Sequence, residues 1–229
     1  MSLKNTVLVL FTALAFTAAV QCVASAETFE ITKKVPVTAA KVLTLRLHGS
    51  QNADKSGGYD RIGVYDGSRL VQIFKIANVS PYGDKSTRTY DPRSGETTVV
   101  EDMNFDGFKD FRVQAEMPAG PNIPYYCFLW DAKANKFVHS KALDFVTSPE
   151  FDQKAKLVRS FNRDSAASYI DEAYKFENGK LILMESKVTE FAESPDPLQQ
   201  DKLIKTETVK KRVDGKMKVV SQTSKLVNR

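Results

Sequence analysis

The stretch TTVVEDMNFDGFKDFRVQAEM, residues 97–117, carries two runs of strand character on either side of an acidic, glycine-centred loop. Asp102, Asn104 and Asp106 set oxygen-bearing side chains at every second position, Gly107 supplies a sharp turn at the sixth, and Asp110 stands ninth. That is the spacing of a calcium loop, in which the Phe108 carbonyl would fill the seventh position. A hard cation of this size takes six to eight oxygens, and alternate side chains converge on it only where the backbone curls tightly. Val113 stands at the twelfth position in place of the bidentate Glu of a helical EF-hand, so Asp110, Glu101 or water must complete the shell. The competing reading is an acidic hairpin turn with no metal. On either reading the loop joins two strands, not two helices.

The same β character extends outward in both directions. Short alternating or apolar segments separated by Gly, Asn, Asp and Pro predict strands at 42–47, 61–65, 70–76, 96–101, 111–116, 125–131, 137–143, 155–161, 166–177, 180–190, 205–213 and 217–226. Asp66-Gly67, Asn178-Gly179 and Asp214-Gly215 each lie between two such runs and read as two-residue hairpin turns. Helix signals are scarce, with at most one turn within 148–156. The expected fold is all-β, an antiparallel meander arranged as a propeller-like body or a sandwich. No strict repeat of 20–50 residues supports a solenoid. Residues 27–229 read as one domain, with 195–229 a possible C-terminal hairpin extension beyond a loop containing Pro195 and Pro197.

The first residues set the compartment. Lys4, an apolar run over 7–20 and Ala24-Ser25-Ala26 form a cleavable signal peptide, residues 1–26, which makes the protein periplasmic or secreted. The run is broken by Thr12 and Thr17 and is shorter than the ~20 apolar residues of a membrane span. Gln21 before Cys22 fits a lipid-attachment site poorly, which leaves a lipoprotein as the weaker alternative. Beyond the leader only Cys127 remains, inside the apolar run YYCFLW, where a buried inert thiol is expected. The chain has 33 basic and 28 acidic residues, an excess too small to argue for nucleic acid. Its basic residues cluster over 202–229 and alternate with Val209, Val213, Met217, Val219 and Val220, as on a solvent-facing strand pair.

Catalytic signatures are missing. His48 and His139 are the two histidines, neither with a partner at zinc spacing, and there is no nucleophile elbow, H-E-x-x-H or P-loop. The chain therefore reads as a binding protein and not an enzyme. Two segments look built for contact. In MPAGPNIPYY, residues 117–126, Pro and Gly restrict the backbone while Asn122 and Tyr125 offer hydrogen-bonding and aromatic surface; NRDSAASY, residues 162–169, ends in Tyr169. Ordinary hairpin loops with tyrosines packed on their own strands are the alternative.

The runs VVEDMNFDGFKDFRV, YYCFLWDAKANKF, SPEFDQKAKLVRS and YKFENGKLIL resemble a family of bacterial periplasmic calcium-binding proteins. Its relatives include immunity proteins that inhibit lysozyme-like type IV secretion effectors, and these are similar to the periplasmic inhibitor of invertebrate-type lysozyme. The resemblance spans roughly residues 58–190, and the calcium loop is its most specific element. It implies an all-β, propeller-like fold, calcium held by Asp102, Asn104, Asp106, Phe108 and Asp110, and an inhibitory loop bearing a tyrosine. SGGY, Ser56 to Tyr59, also looks like the short S-G-x-Y motif that lysozyme inhibitors insert into the enzyme's cleft. The expected partner is a lysozyme-like hydrolase, with non-catalytic binding of cell-wall glycan as the alternative.

Overall fold

The computed structural model describes residues 26–229, so the expected leader lies, but for its last residue, outside the described residues. The described chain is all-β and antiparallel, built from three sheets. The first comprises β1 (Glu27–Thr38), β2 (Lys41–Gln51), β3 (Ser56–Asp66) and β4 (Arg69–Lys75) in that order, with the two-residue β5 (Thr89–Tyr90) paired to β3. The second runs β6 (Thr98–Glu101), β7 (Asp110–Gln114), β8 (Tyr125–Asp131) and β9 (Lys136–His139). The third runs β10 (Glu150–Asp152), β11 (Leu157–Ser165), β12 (Ser168–Glu177), β13 (Lys180–Glu193), β14 (Lys202–Val213) and β15 (Lys216–Asn228). Each is a meander in which consecutive strands pair, except that β5 returns to pair with β3.

Turn chemistry sets the registers. Asn178-Gly179 and Asp214-Gly215 have positive φ at both positions and connect Glu177↔Lys180 and Val213↔Lys216, as their sequences predict. The expected Asp66-Gly67 turn shifts by one residue: Asp66 pairs with Arg69, and Gly67 alone takes positive φ. Two expectations need larger correction. Residues 148–156 form no helical turn but the short strand β10, which pairs Phe151 with Val158 and so buries an aromatic side chain. The long first strand β1 has no strand signal in the sequence, because Pro36 and two adjacent lysines hide its alternation; the strand nevertheless pairs with β2 from Glu27 to Thr38.

Strand β8 explains how the core is built. Its Tyr126, Phe128 and Trp130 pack into one cluster with Leu43, Leu45 and Leu47 of β2 and Ile62 and Val64 of β3. Cys127, pointing the other way, packs with Met103, Leu143, Val146, Phe151 and Val158 in a second cluster. A strand buried on both faces reads as a continuous apolar run, which is what YYCFLW is. In the first cluster the Phe111 and Phe128 rings stack at 4.6 Å while Phe137 meets Phe111 edge-on at 4.8 Å. Lys33 of β1 reaches across to the carbonyls of Gly95 and Thr98 at 3.0 and 2.6 Å, tying the first sheet to the start of the second. Strands β14 and β15 continue the third sheet, and most of their side chains remain accessible, as the basic alternation predicts.

Candidate functional site

The acidic loop bridges β6 and β7, whose pairing of Glu101 with Asp110 fixes its two ends. Asp102 closes it. One carboxylate oxygen accepts the Gly107 amide at 2.9 Å and the other accepts the Asp106 amide at 3.2 Å, a curl that needs positive φ at Gly107 (+91°) and at Phe105 (+66°). Asp106 accepts the Phe108 amide at 2.9 Å and the Asn104 side-chain amide at 2.8 Å. Asp110, fully buried, accepts the Met103 amide at 2.7 Å with one oxygen and the Trp130 amide at 2.7 Å with the other, so it fastens the loop to β8. Gln153 donates to the Asp102 carbonyl at 2.6 Å from the third sheet.

The electrostatics of this loop are unfavourable by themselves. Burial pushes the Asp110 carboxyl up to about 7; the two backbone amides oppose that shift, and repulsion from Asp106 and Asp102 adds to it. The nearby ion pairs run elsewhere, Arg112 to Glu101 at 2.9 Å and Arg159 to Asp152 at 3.1 Å. Among the described residues, no three His, Cys, Asp or Glu side chains already converge on a point that could hold a metal. The carboxylates are turned instead onto backbone amides of their own loop and, for one Asp110 oxygen, of β8. The donor chemistry still fits a hard cation: mutually repelling carboxylates, an amide oxygen and a free carbonyl on a backbone already curled around Asp102.

The expected contact residues fall in different settings. Tyr59 is 0% exposed; its hydroxyl donates to the Pro92 carbonyl at 2.5 Å and lies 2.9 Å from the Thr97 hydroxyl. The expectation that SGGY presents a tyrosine to a partner is therefore corrected: the motif is part of β3, and its tyrosine anchors the core. A Cβ on Gly58 would lie 1.7 Å from the Thr87 carbonyl oxygen, so its glycines serve close backbone approach. Ser56, half-buried, donates its hydroxyl to Asp54 at 2.6 Å.

Asn122 uses its side chain internally, donating to Asn162 at 3.0 Å and to the Arg163 carbonyl at 2.9 Å. Tyr125, the first residue of β8, is half-buried beneath the Arg112 guanidinium, 4.3 Å from its ring centre. Tyr169 sits between Phe161 and Phe191 at 5.7 and 6.3 Å in a row of half-buried rings crossing β11, β12 and β13. Beside that row lies a polar hollow of about 330 Å³ whose walls include Arg159, Asp171, Glu185 and Lys187. The structure thus unites the two predicted contact loops through Asn122, while Ser56 lines a hollow of about 440 Å³ that also includes Met117, the first residue of one of them, and Tyr59 is buried. Sequence reasoning missed Gln153 and the Trp130 amide as partners of the acidic loop, since contacts 51 and 20 positions apart leave no local signal.

No helix among the described residues is long and apolar enough to cross a membrane. No family model matches the chain, and no curated protein matches it. Among solved structures it is similar to a Xanthomonas type IV secretion system related protein, with a TM-score of 0.58 and 15% identity over 84% of this chain and 93% of that one. At that identity the likeness is one of fold.

Proposed function

We propose that the chain is an exported calcium-binding protein that binds and inhibits a peptidoglycan hydrolase, acting by occlusion and not by catalysis. The observation that carries the calcium part is the closure of the loop by Asp102 onto the Gly107 and Asp106 amides, with Asp110 buried behind it. Asp102, Asn104, Asp106, the Phe108 carbonyl and Asp110 would hold the ion. Bound there, calcium would supply positive charge against the repulsion among the three carboxylates and make the loop a rigid base for β7 and the segment that follows it. Inhibition is supported by the motif resemblance over residues 58–190 and by a fold shared with a type IV secretion system related protein. Tyr169 and the surface joined through Asn122 are the contact region favoured by position.

A second reading, binding of cell-wall glycan, is favoured by the row Phe161, Tyr169 and Phe191 beside a charged hollow, because sugar rings stack on aromatic faces while their hydroxyls bond charged side chains. One experiment separates the two. The purified protein is incubated with peptidoglycan and a panel of lysozymes, with calcium and with chelator, and both lytic rate and sedimentation with the polymer are measured. Loss of lytic rate for at least one enzyme supports inhibition. Co-sedimentation with undiminished lysis supports the glycan reading and removes the first.

A further inference from the structure

Away from the acidic loop, a cavity of about 430 Å³ opens between the 80–84 turn, the start of β8 and the 143–147 turn. Its rim carries Tyr82 and Phe145, 78% and 73% exposed, and its walls include Pro81, Pro124 and Ala115. Tyr126, 4% exposed, also lines it. Together with the proline, alanine and tyrosine walls these rings make a contiguous apolar patch, and contiguity is what distinguishes an interaction surface from singly exposed side chains.

Charge is unevenly distributed around this cavity. Glu116 and Asp144 line it, and Asp84 lies close by. Against these three carboxylates stand, among the described residues, the Arg88 guanidinium, shared between Glu116 at 2.7 Å and Asp84 at 3.6 Å, and the His139 imidazole, 2.8 Å from Asp144; the Arg112 guanidinium over the lining Tyr125 is itself paired with Glu101 at 2.9 Å. Burial pushes the Tyr126 phenol above its usual range; the Ser80 hydroxyl opposes that shift, and the negative charges of Asp84, Asp144 and Glu116 add to it. A basic chain has thus gathered negative charge at one apolar cavity. Several of its aromatic rings lie under its own cations: Arg46 over Tyr65 at 4.2 Å, Lys41 over Trp130 at 5.1 Å and, in the wall of this cavity, Arg112 over Tyr125 at 4.3 Å. Tyr82 and Phe145 have no such cation among the described residues.

We propose that this cavity receives the ammonium or guanidinium side chain of a protein partner, with Tyr82 and Phe145 flanking the cation and Glu116 and Asp144 supplying the countercharge. A lysine or arginine suits the site better than a compact organic cation, because its aliphatic stem matches the proline and alanine walls while its tip reaches the carboxylates. The inference goes beyond the function proposed above: it needs neither a bound calcium ion nor a hydrolase as partner.

The test is an amide-shift NMR titration of the purified protein with the peptide acetyl-Gly-Lys-Gly-amide, its arginine counterpart and the same peptide acetylated on the lysine Nζ. Saturable shifts centred on Tyr82 and Phe145 are expected with the two cationic peptides. Binding should weaken roughly tenfold or more on lysine acetylation, and comparably in Tyr82→Ala and Phe145→Ala, whose melting temperatures should stay at the parent's because both rings are exposed. Glu116→Gln should weaken binding with the rings intact. Absence of a saturable shift up to about 10 mM peptide, equal binding of the acetylated peptide, or undiminished binding by both ring variants overturns the proposal.

Discussion

Asn122 and Arg163 exchange a reciprocal pair of hydrogen bonds: the Asn122 amide donates to the Arg163 carbonyl at 2.9 Å, and its oxygen accepts the Arg163 backbone N–H at 2.7 Å. The side chain thereby copies a strand-pairing pattern and joins the loop before β8 to the end of β11. Asn122→Ala removes both bonds and the one to Asn162. The sites are partly solvated, so the cost should be about 1–2 kcal/mol, a fall of roughly 2–8 °C in melting temperature. Thermal melting of this variant against Asn122→Asp, which keeps the acceptor, checks it. An unchanged melt would show that the two loops do not depend on each other.

Calcium should raise the melting temperature. Ligand at ~100 times its dissociation constant adds about 2.7 kcal/mol, and Asp106→Ala should abolish the rise. Asp102→Ala should do more, lowering stability even with chelator present, because its carboxylate closes the loop on two backbone amides by itself. Superimposable melts of the parent in chelator and in millimolar calcium would rule the metal out.

Glycine positions separate backbone constraint from open space. Gly58→Ala drives a Cβ into the Thr87 carbonyl and should cost about 1–3 kcal/mol or more, whereas Gly120, with nothing within 4 Å, should accept Ala at a cost near zero. Chemical denaturation of the pair measures this. Equal midpoints would mean that the first sheet opens without penalty between β3 and the chain at Thr87.

Cys127 is fully buried, and burial holds its thiol far above the ordinary range, with the Arg112 charge opposing only in part. A thiol-alkylating reagent at mildly alkaline pH should therefore leave the native protein unlabelled and modify it only as it unfolds. Mass spectrometry along a denaturant series should give a labelling curve that overlays the unfolding curve. Labelling that precedes unfolding would reveal local opening of the second core cluster.

Much of this architecture is legible in the sequence because its signals are local. Asn178-Gly179 and Asp214-Gly215 state their turns in adjacent residues, and the acidic loop states its curl within nine. The remainder is decided at long range. Nothing in SGGY announces that its tyrosine points inward, since that depends on where Pro92 and Thr97 lie. Nor does NIPYY reveal that Asn122 will find Arg163, or that β1, masked by Pro36 and Lys33-Lys34, will be completed by β2. Orientation of a side chain on a two-faced strand needs a partner sheet, and the partner is not written beside it.

Because each sheet is a meander, nearly every strand pairing closes a short loop, and the entropy lost in forming it is small. Pairing can therefore proceed while residues downstream are still unstructured. The aromatic cluster behaves oppositely: Leu45 and Phe128 reach a common interior only when the first two sheets meet. Bringing these sheets together is the long-range step of the topology, and substitutions at Phe111 or Phe128 should slow refolding, as stopped-flow fluorescence would measure, more than a substitution within a single hairpin does.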